Sequence, residues 1–337
     1  MNETEQSPPQ HLLRLITGYW VTQLIHVIAR LEIADRLAAA PRACDALAAE
    51  CGVRARELHR VLRALAAEGL FTEVAPGTFA VTSLGELLQK NRPGSLHARA
   101  IVSGGKDYAA WGALLHSVQT GQPAFDQVYR EDHFTWLQRH PTMAAAFHET
   151  MTQFAAQNYR AVVEAFDFGG FRCVADIGGG HGQLLALILA RHPSIRGILF
   201  DAPHVIAGAG GPLREARVAS RCELIGGDFF VSVPTGGDAY VMSHILHDWD
   251  DESAARLLQT LRRTVDAGTH LLIVEKIIPP GDGPSLAKLM DIHMLVLTGG
   301  LERTEGEFRE LLTRAGFRLE RVTPTASFMN VLESVVV

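Results

Sequence analysis

The residues of this chain best placed to do chemistry stand where short apolar runs break into turns. The first run is Val174-Ala-Asp-Ile-Gly-Gly-Gly-His-Gly182, followed by a helical stretch over 183–191. Glycine has no Cβ and tolerates positive φ, so such a turn lets bare backbone approach a nucleotide-like ligand. A dinucleotide fingerprint begun at Gly178 would need its third glycine at 183, where the chain has Gln183. The glycines instead read Gly178-x-Gly180-x-Gly182, with Asp176 just ahead of them. A carboxylate there suits a cofactor carrying an ammonium better than one carrying a pyrophosphate, which favours S-adenosylmethionine over NAD. A second run, 197–200, ends in Asp201, spaced to accept hydrogen bonds from ribose hydroxyls at the next strand tip. A third, 223–225, ends in Gly226-Gly227-Asp228-Phe229, where a carboxylate and an aromatic face suit adenine.

A sulfonium methyl is already activated, so its transfer needs little beyond aligning an acceptor and removing the acceptor's proton. His247, in the sequence His247-Asp248-Trp249, is the candidate general base. A phenol of pKa about 10 and an imidazole of about 6.5 differ by roughly 3.5 units, or about 5 kcal/mol if the proton moved completely before attack. Nearby carboxylates narrow such a gap by stabilising the imidazolium and fixing its tautomer. The runs 239–242 and 271–274 read as strands, and His247 and Glu275 fall at or just beyond their ends. Their distance in sequence is therefore no obstacle to contact.

Such residues need a frame. From about 166 onward apolar runs alternate with helical stretches, which predicts a parallel sheet flanked by helices. Ahead of it, 99–165 reads as helices rich in aromatic and thioether residues, among them Trp111, Phe147, Met151 and Phe154. The last three recur at helical spacing and share a face, either as plain core or as walls for a flat aromatic substrate. The N-terminal zone opens with a helical stretch over 12–37 that is apolar on more than one face and needs burial on several sides. Helices over 45–50 and 55–68, a turn at 51–53 and a hairpin over 71–82 broken at Pro76-Gly77 then describe a winged helix. That shape admits a transcription regulator, since Arg54, Arg56, His59, Arg60 and Arg63 lie on or beside the second helix. Between 42 and 68, however, the arginines are nearly balanced by Asp45, Glu50, Glu57 and Glu68, a weak field for a phosphate backbone.

The stretches Asp176-Ile-Gly-Gly-Gly-His-Gly182, Phe200-Asp-Ala-Pro-His204, Gly227-Asp-Phe-Phe230, Ile245-Leu-His-Asp-Trp-Asp-Asp-Glu252, Val274-Glu275 and Gly299-Gly-Leu-Glu-Arg-Thr304 together carry a family likeness. The chain resembles the class I S-adenosylmethionine-dependent O-methyltransferases of small molecules, which include plant caffeate-type enzymes and bacterial polyketide and phenazine tailoring enzymes. That resemblance covers nearly the whole chain. It implies an α/β fold: a Rossmann-like methyltransferase sheet with helices on both faces, plus an N-terminal, mainly helical, winged-helix-like dimerisation domain. The expected division is 1–98 for dimerisation and 99–337 for catalysis, the latter a helical substrate-pocket segment over 99–165 and a Rossmann-like core over 166–337. It further implies a homodimer, with the over-apolar first helix as intersubunit contact. Glu275 and Glu302 match the two glutamates that flank the base, and Asp248 matches a residue beside the substrate. Phe147, Met151 and Met294 match the substrate pocket. Where the family often has a cofactor-contacting lysine this chain has Ser243, so contact there is expected to be weaker or different. Thr298-Gly299-Gly300 is one residue shorter than the plant-like pattern. The expected activity is methyl transfer from S-adenosylmethionine, leaving S-adenosylhomocysteine, to a phenolic hydroxyl of a small aromatic natural product. Polyketide-, phenazine- or phenylpropanoid-like skeletons are the candidates, in secondary-metabolite or antibiotic biosynthesis. Relatives that methylate nitrogen keep N-methylation as the alternative.

Composition agrees with this frame. The chain has 337 residues, 47% hydrophobic and 20% charged, as expected of an ordinary globular protein of about two domains. A formal net charge of -6 argues against non-specific binding of nucleic acid or anionic lipid. Cys44, Cys51, Cys173 and Cys222 lack C-x-x-C spacing and read as reduced thiols, which predicts a cytoplasmic location. Residues 1–10 are polar without a basic start, and no apolar run nears the roughly 18 residues of a membrane span, so neither export nor insertion is expected. His181, His204 and His293 have no ligand-like spacing around them, and no metal dependence is expected.

Overall fold

The computed structural model describes residues 7–337; the rest of the polar N-terminal stretch lies outside the described residues. The chain divides into two compact units, Met1–Gly112 with Phe134–Gln153 and Ala113–His133 with Phe154–Val337. The helical segment 99–165 is therefore shared between them.

Among the described residues the second unit is built on a seven-stranded sheet, β1 Cys173–Ile177, β2 Arg196–Asp201, β3 Cys222–Gly226, β4 Ala239–Ser243, β5 His270–Glu275, β6 Phe317–Pro324 and β7 Asn330–Val336, with Ile277–Ile278 and Arg303–Thr304 pairing apart from it. Their order across the sheet is β6-β7-β5-β4-β1-β2-β3. Strands β1 to β5 run parallel, but β7 is antiparallel to β5 and β6 is antiparallel to β7. The sheet is thus mixed where a parallel one was expected. The reason is local: β6 and β7 are joined by a short turn over 325–329, which leaves no length for a crossover.

Side chains alternate across β1, so Val174 packs on one face with Leu185 and Leu189 of the helix Gln183–Arg191, while Ala175 and Ile177 pack on the other with Leu257, Leu258 and Leu261 of the helix Asp251–Thr264. Burial on both faces explains why these strands read as continuous apolar runs. The chain passes from β1 to β2 and β3 on one side, then returns to β4 on the other. The carboxyl ends of β1 and β4 therefore flank the crevice where open α/β sheets bind ligands. Caps fix the loops around it: Asp250 Oδ1 accepts from Ser253 N at 2.7 Å to start Asp251–Thr264, and Thr304 with Glu307 forms a capping box that starts Glu305–Arg314.

In the first unit the apolar stretch 12–37 is not one helix but three, Pro8–Ile16, Gly18–Arg30 and Ile33–Arg36. It breaks at Thr17, outside helical dihedrals, and at Glu32, which adopts φ 54. The helices Cys44–Cys51 and Ala55–Ala67 and the antiparallel pair Phe71–Ala75 and Thr78–Val81 follow as expected, with Arg42–Ala43 adding a strand to the wing. Ile28, Leu47, Leu62, Leu65, Phe71 and Phe79 form its core. By contrast Leu12, Leu13, Leu15, Ile16, Tyr19 and Trp20 are 49–64% exposed, an apolar face this unit leaves uncovered. No single helix among the described residues is long and apolar enough to cross a membrane; the bent pair Pro8–Ile16 and Gly18–Arg30 passes that test by length and composition alone.

Candidate active site

Asp176 is the fourth residue of β1, and its carboxyl lies against the glycine turn: a Cβ on Gly179 would meet Asp176 Cγ at 2.6 Å. The side chain is buried, and neither oxygen has a hydrogen-bond partner among the described residues. Burial, reinforced by the charge of Asp201, raises its pKa to about 7. A carboxylate held in this way lacks a donor, and a ligand ammonium supplies both the donor and the missing charge. Gly178 has φ 70 and would drive a Cβ to 2.3 Å from Ile245 Cδ1, so only glycine fits that bend. The N–H of Gly180 donates to Asp201 Oδ2 at 2.8 Å, and that of Ala202 donates to Oδ1 at 2.7 Å. Asp201 thus pins the turn to the end of β2 while each oxygen keeps a lone pair for a diol.

Asp228 Oδ1 accepts from Phe230 N at 2.8 Å, a local bond that fixes the turn after β3. Phe229 packs edge-on against Phe230 and Trp249, and its ring edge lies 3.7 Å from where a Gly178 Cβ would stand. Phe229, expected with Asp228 to hold adenine, therefore reaches the glycine turn. Ser243 closes β4, and its Oγ donates to Tyr159 OH at 3.3 Å. Burial raises the Tyr159 phenol pKa, so where the family often places a lysine this chain has an uncharged Ser–Tyr pair.

Beyond β4 the chain turns sharply. His244 adopts φ 56, and Ile245 then returns to right-handed dihedrals. This left-to-right sequence forms a nest of backbone N–H groups. Glu275 Oε1 occupies it, accepting from Ile245 N at 3.0 Å, Leu246 N at 3.1 Å and His247 N at 3.4 Å. Anchored at one oxygen, the fully buried Glu275 presents the other, Oε2, 3.1 Å from His247 Nδ1. Glu302 Oε1 lies 3.5 Å from the same nitrogen and accepts from Lys276 Nζ at 3.0 Å. Asp248 Oδ1 stands 3.6 Å from His247 Nε2. Burial by itself would push the His247 pKa down, yet the charges of Glu275 and Asp248 hold it well above 6.5. Burial raises Asp248 to about 6 against the opposing pull of His247.

A clasp fixes the histidine loop from the other side. Arg303 is fully buried and donates to Leu246 O at 2.9 Å, Trp249 O at 3.0 Å and Asp251 Oδ1 at 2.9 Å. Leu301 N donates to His247 O at 2.9 Å, and a Cβ on Gly300 would lie 2.0 Å from that same oxygen. Asp291 Oδ1 accepts from Glu302 N at 3.1 Å and sets the glutamate's position.

The remaining expected residues divide. Phe154 lies with its ring 5.5 Å from that of His244 and under Lys276 Nζ at 5.6 Å, so it joins the His247 cluster. Met294 is buried on the helix Leu286–Leu297, three residues from Asp291, and its carbonyl accepts from Thr298 and Gly299. Phe147, Met151 and Phe154 do share one helix, Pro141–Ala165, but Trp111, Phe147 and Met151 fall in the first compact unit and Phe154 in the second. Within the first unit Lys106 Nζ stands 5.4 Å from the centre of the Phe147 ring, and Met151 is 41% exposed. Sequence reasoning counted Tyr159 only among the aromatic residues of 99–165 and gave no role to His244, Lys276, Gly300 or Arg303. The last two lay inside a stretch singled out for its resemblance; the others had no pattern to mark them.

A sheet of this order, with an acid and a glycine turn at β1 and a histidine between carboxylates beyond β4, defines a methyltransferase dependent on S-adenosylmethionine. The chain matches the O-methyltransferase domain over 111–318 and the O-methyltransferase dimerisation domain over 13–91, and it belongs to that O-methyltransferase family. It is 48% identical to the phenazine O-methyltransferase PhzM of Lysobacter antibioticus, across 96% of this chain and 95% of the relative. It is 37% identical to the 8-amino-8-demethylriboflavin N,N-dimethyltransferase of Streptomyces davaonensis, across 98% and 96%. Among solved structures it superposes with a TM-score of 0.82, at 30% identity over 94% of this chain and 96% of the other, on the O-methyltransferase NcsB1 of neocarzinostatin biosynthesis, crystallised with S-adenosylmethionine and 2-hydroxy-5-methyl naphthoic acid.

Proposed function

We propose that this methyltransferase acts as a homodimer on a phenolic hydroxyl of a small, polycyclic aromatic natural product, with His247 as general base. S-adenosylmethionine supplies a methyl group already activated on a positively charged sulfur. Asp176 would receive its ammonium, Asp201 its ribose hydroxyls, and Asp228 with Phe229 its adenine. His247 takes the hydroxyl proton on Nε2, while Glu275 and Glu302 on the Nδ1 side stabilise the imidazolium that forms. Asp248 aligns the acceptor, and Phe154 and Met294 wall the ring. The observation that carries this reading is the Glu275 carboxylate, locked by three backbone N–H groups with its free oxygen 3.1 Å from His247 Nδ1. A phenazine-type skeleton is supported by the relative from Lysobacter antibioticus, and a naphthoate-type skeleton by the neocarzinostatin enzyme. For the dimer, support comes from the matched dimerisation domain and the uncovered apolar face of the first two helices. Reduced cysteines fit a cytoplasmic setting, and we assign no nucleic-acid or membrane partner.

Replacing His247 with Ala tests the base. Expected is a loss of O-methylation of phenolic substrates by a factor of about 100 or more, with S-adenosylhomocysteine affinity by calorimetry nearly unchanged. The relative that methylates an amine supports a second reading, N-methylation. An amine already carries a free lone pair, so turnover retained by His247→Ala on an arylamine would favour it and remove the base assignment.

A further inference from the structure

His244 has no part in the reaction derived above, yet it brings a second imidazole to the histidine–carboxylate cluster. It is half-buried, its ring centre is 5.3 Å from that of His247, and its Nε2 is covered without a hydrogen-bond partner among the described residues. His247 Nδ1 and Glu275 Oε2 are likewise buried without an aligned hydrogen bond. One potential ligand atom from each of the three residues falls within 4.8 Å of the others.

We propose that His244, His247 and Glu275 form an inhibitory site for a divalent transition metal, zinc in the first instance. Two imidazole nitrogens and one carboxylate oxygen are a ligand set for Zn²⁺, and its open fourth position takes water. Imidazoles do not suit Mg²⁺ or Ca²⁺, which seek oxygen. Charge favours the dication as well. Once His247 has given up its proton, Glu275, Glu302 and Asp248 in their ionised forms carry three negative charges there against one positive charge on Lys276. Tetrahedral ligands at bonds of about 2.0 Å stand about 3.3 Å apart, so atoms up to 4.8 Å apart must close by as much as about 1.5 Å. Metal binding requires His247 to lose any proton it holds and ties up the lone pair of its ring. The bound ring can no longer accept the substrate proton. Inhibition therefore rests on the base assignment, whereas binding does not.

The test uses the full chain, freed of metal with EDTA and desalted. Calorimetry with ZnCl₂ should give one site per chain, with turnover falling in parallel and recovering when EDTA is added. MgCl₂ should do neither. Co²⁺ should give a visible absorption band of low-coordinate geometry. The informative variant is His244→Asn, because Asn tolerates the left-handed backbone at this position. It should weaken Zn²⁺ binding at least about tenfold and shift the inhibition curve, measured against the variant's own metal-free rate, by the same factor. S-adenosylhomocysteine affinity and the thermal transition of the variant report whether it has kept its fold. Wild-type and His244→Asn proteins with the same Zn²⁺ affinity would overturn the proposal, and so would a wild-type enzyme with no such site. Binding that depends on His244 without inhibition would keep the site and instead count against His247 as the base.

Discussion

Glu275→Gln removes the charge that the proposed mechanism places beside the base. The amide is nearly isosteric, and its carbonyl oxygen can still accept from the N–H groups of Ile245, Leu246 and His247, so the loop should hold its shape. What disappears is a negative charge 3.1 Å from His247 Nδ1, and with it the acceptor that holds the Nδ1–H tautomer, so the electrostatic loss is the minimum effect. At that separation and an effective dielectric of about 20, a carboxylate and an imidazolium attract by about 5 kcal/mol. With the proton about half transferred in the transition state, roughly half of this is felt, about 2–3 kcal/mol, or about 30- to 150-fold in kcat/KM at the high-pH plateau. The sign of the pH effect follows separately. His247 must be neutral to act, and its pKa is held well above 6.5 because burial is outweighed by Glu275 and Asp248. In the parent enzyme kcat/KM should climb as pH rises through that elevated value. In Glu275→Gln the climb should move down toward about 6.5. Stopped assays with a phenolic acceptor from pH 5 to pH 10 read both quantities. A variant that loses rate while its acid limb stays in place would refute the reasoning, because it would give Glu275 a purely structural task.

Other outcomes follow from the same geometry. Asp176→Asn should weaken S-adenosylhomocysteine binding about tenfold or more and remove its pH dependence near about 7, as calorimetry at several pH values would show. The same change should stabilise the free protein. Asp176 keeps its proton up to about 7 when folded, against about 3.9 unfolded, so folding stability falls as pH rises across that interval. Relief of this cost should raise Tm by a few degrees at pH 8 and by little at pH 4. Gly300→Ala places a Cβ 2.0 Å from His247 O and should lower turnover about 100-fold with cofactor affinity within about threefold, measured by steady-state kinetics and calorimetry. Trp20→Glu combined with Leu15→Glu puts charge on the uncovered apolar face, and sedimentation velocity should report a dimer for the parent and a monomer for the variant.

Much of the fold was legible because strands buried on both faces announce themselves as apolar runs, and the runs ending at Asp201, Gly226 and Glu275 became β2, β3 and β5 with boundaries within a residue or two. The hairpin of β6 and β7 was not foreseen: Arg318, Glu320 and Arg321 interrupt its first strand, whose pattern only a sheet edge explains. The stretch 12–37 looked continuous because hydrophobicity does not register a single left-handed residue such as Glu32. At the candidate site, residues recognisable by type were gathered by the fold: the acids, the glycines and the histidine. What sequence could not give was the geometry that aims them. The nest around Glu275 is made of peptide N–H groups, which every non-proline residue has, and it depends on a left-handed His244 that no pattern signals. Arg303 and Lys276 are cations that would ordinarily be read as surface, and burial alone distinguishes them.

The way Glu275 is anchored has a consequence for how such an enzyme can diversify. Its grip comes from main-chain amides, so the identities of the side chains at 245 and 246 are not part of the bond. Substitutions along the walls that would meet an acceptor ring can accumulate without retuning the proposed proton acceptor, whereas 245 and 246 stay tied by packing, Ile245 against Gly178 and Leu246 in the core. Chemical competence and choice of acceptor are thereby separable traits, and a lineage can explore new skeletons while the proton-handling unit stays as it is.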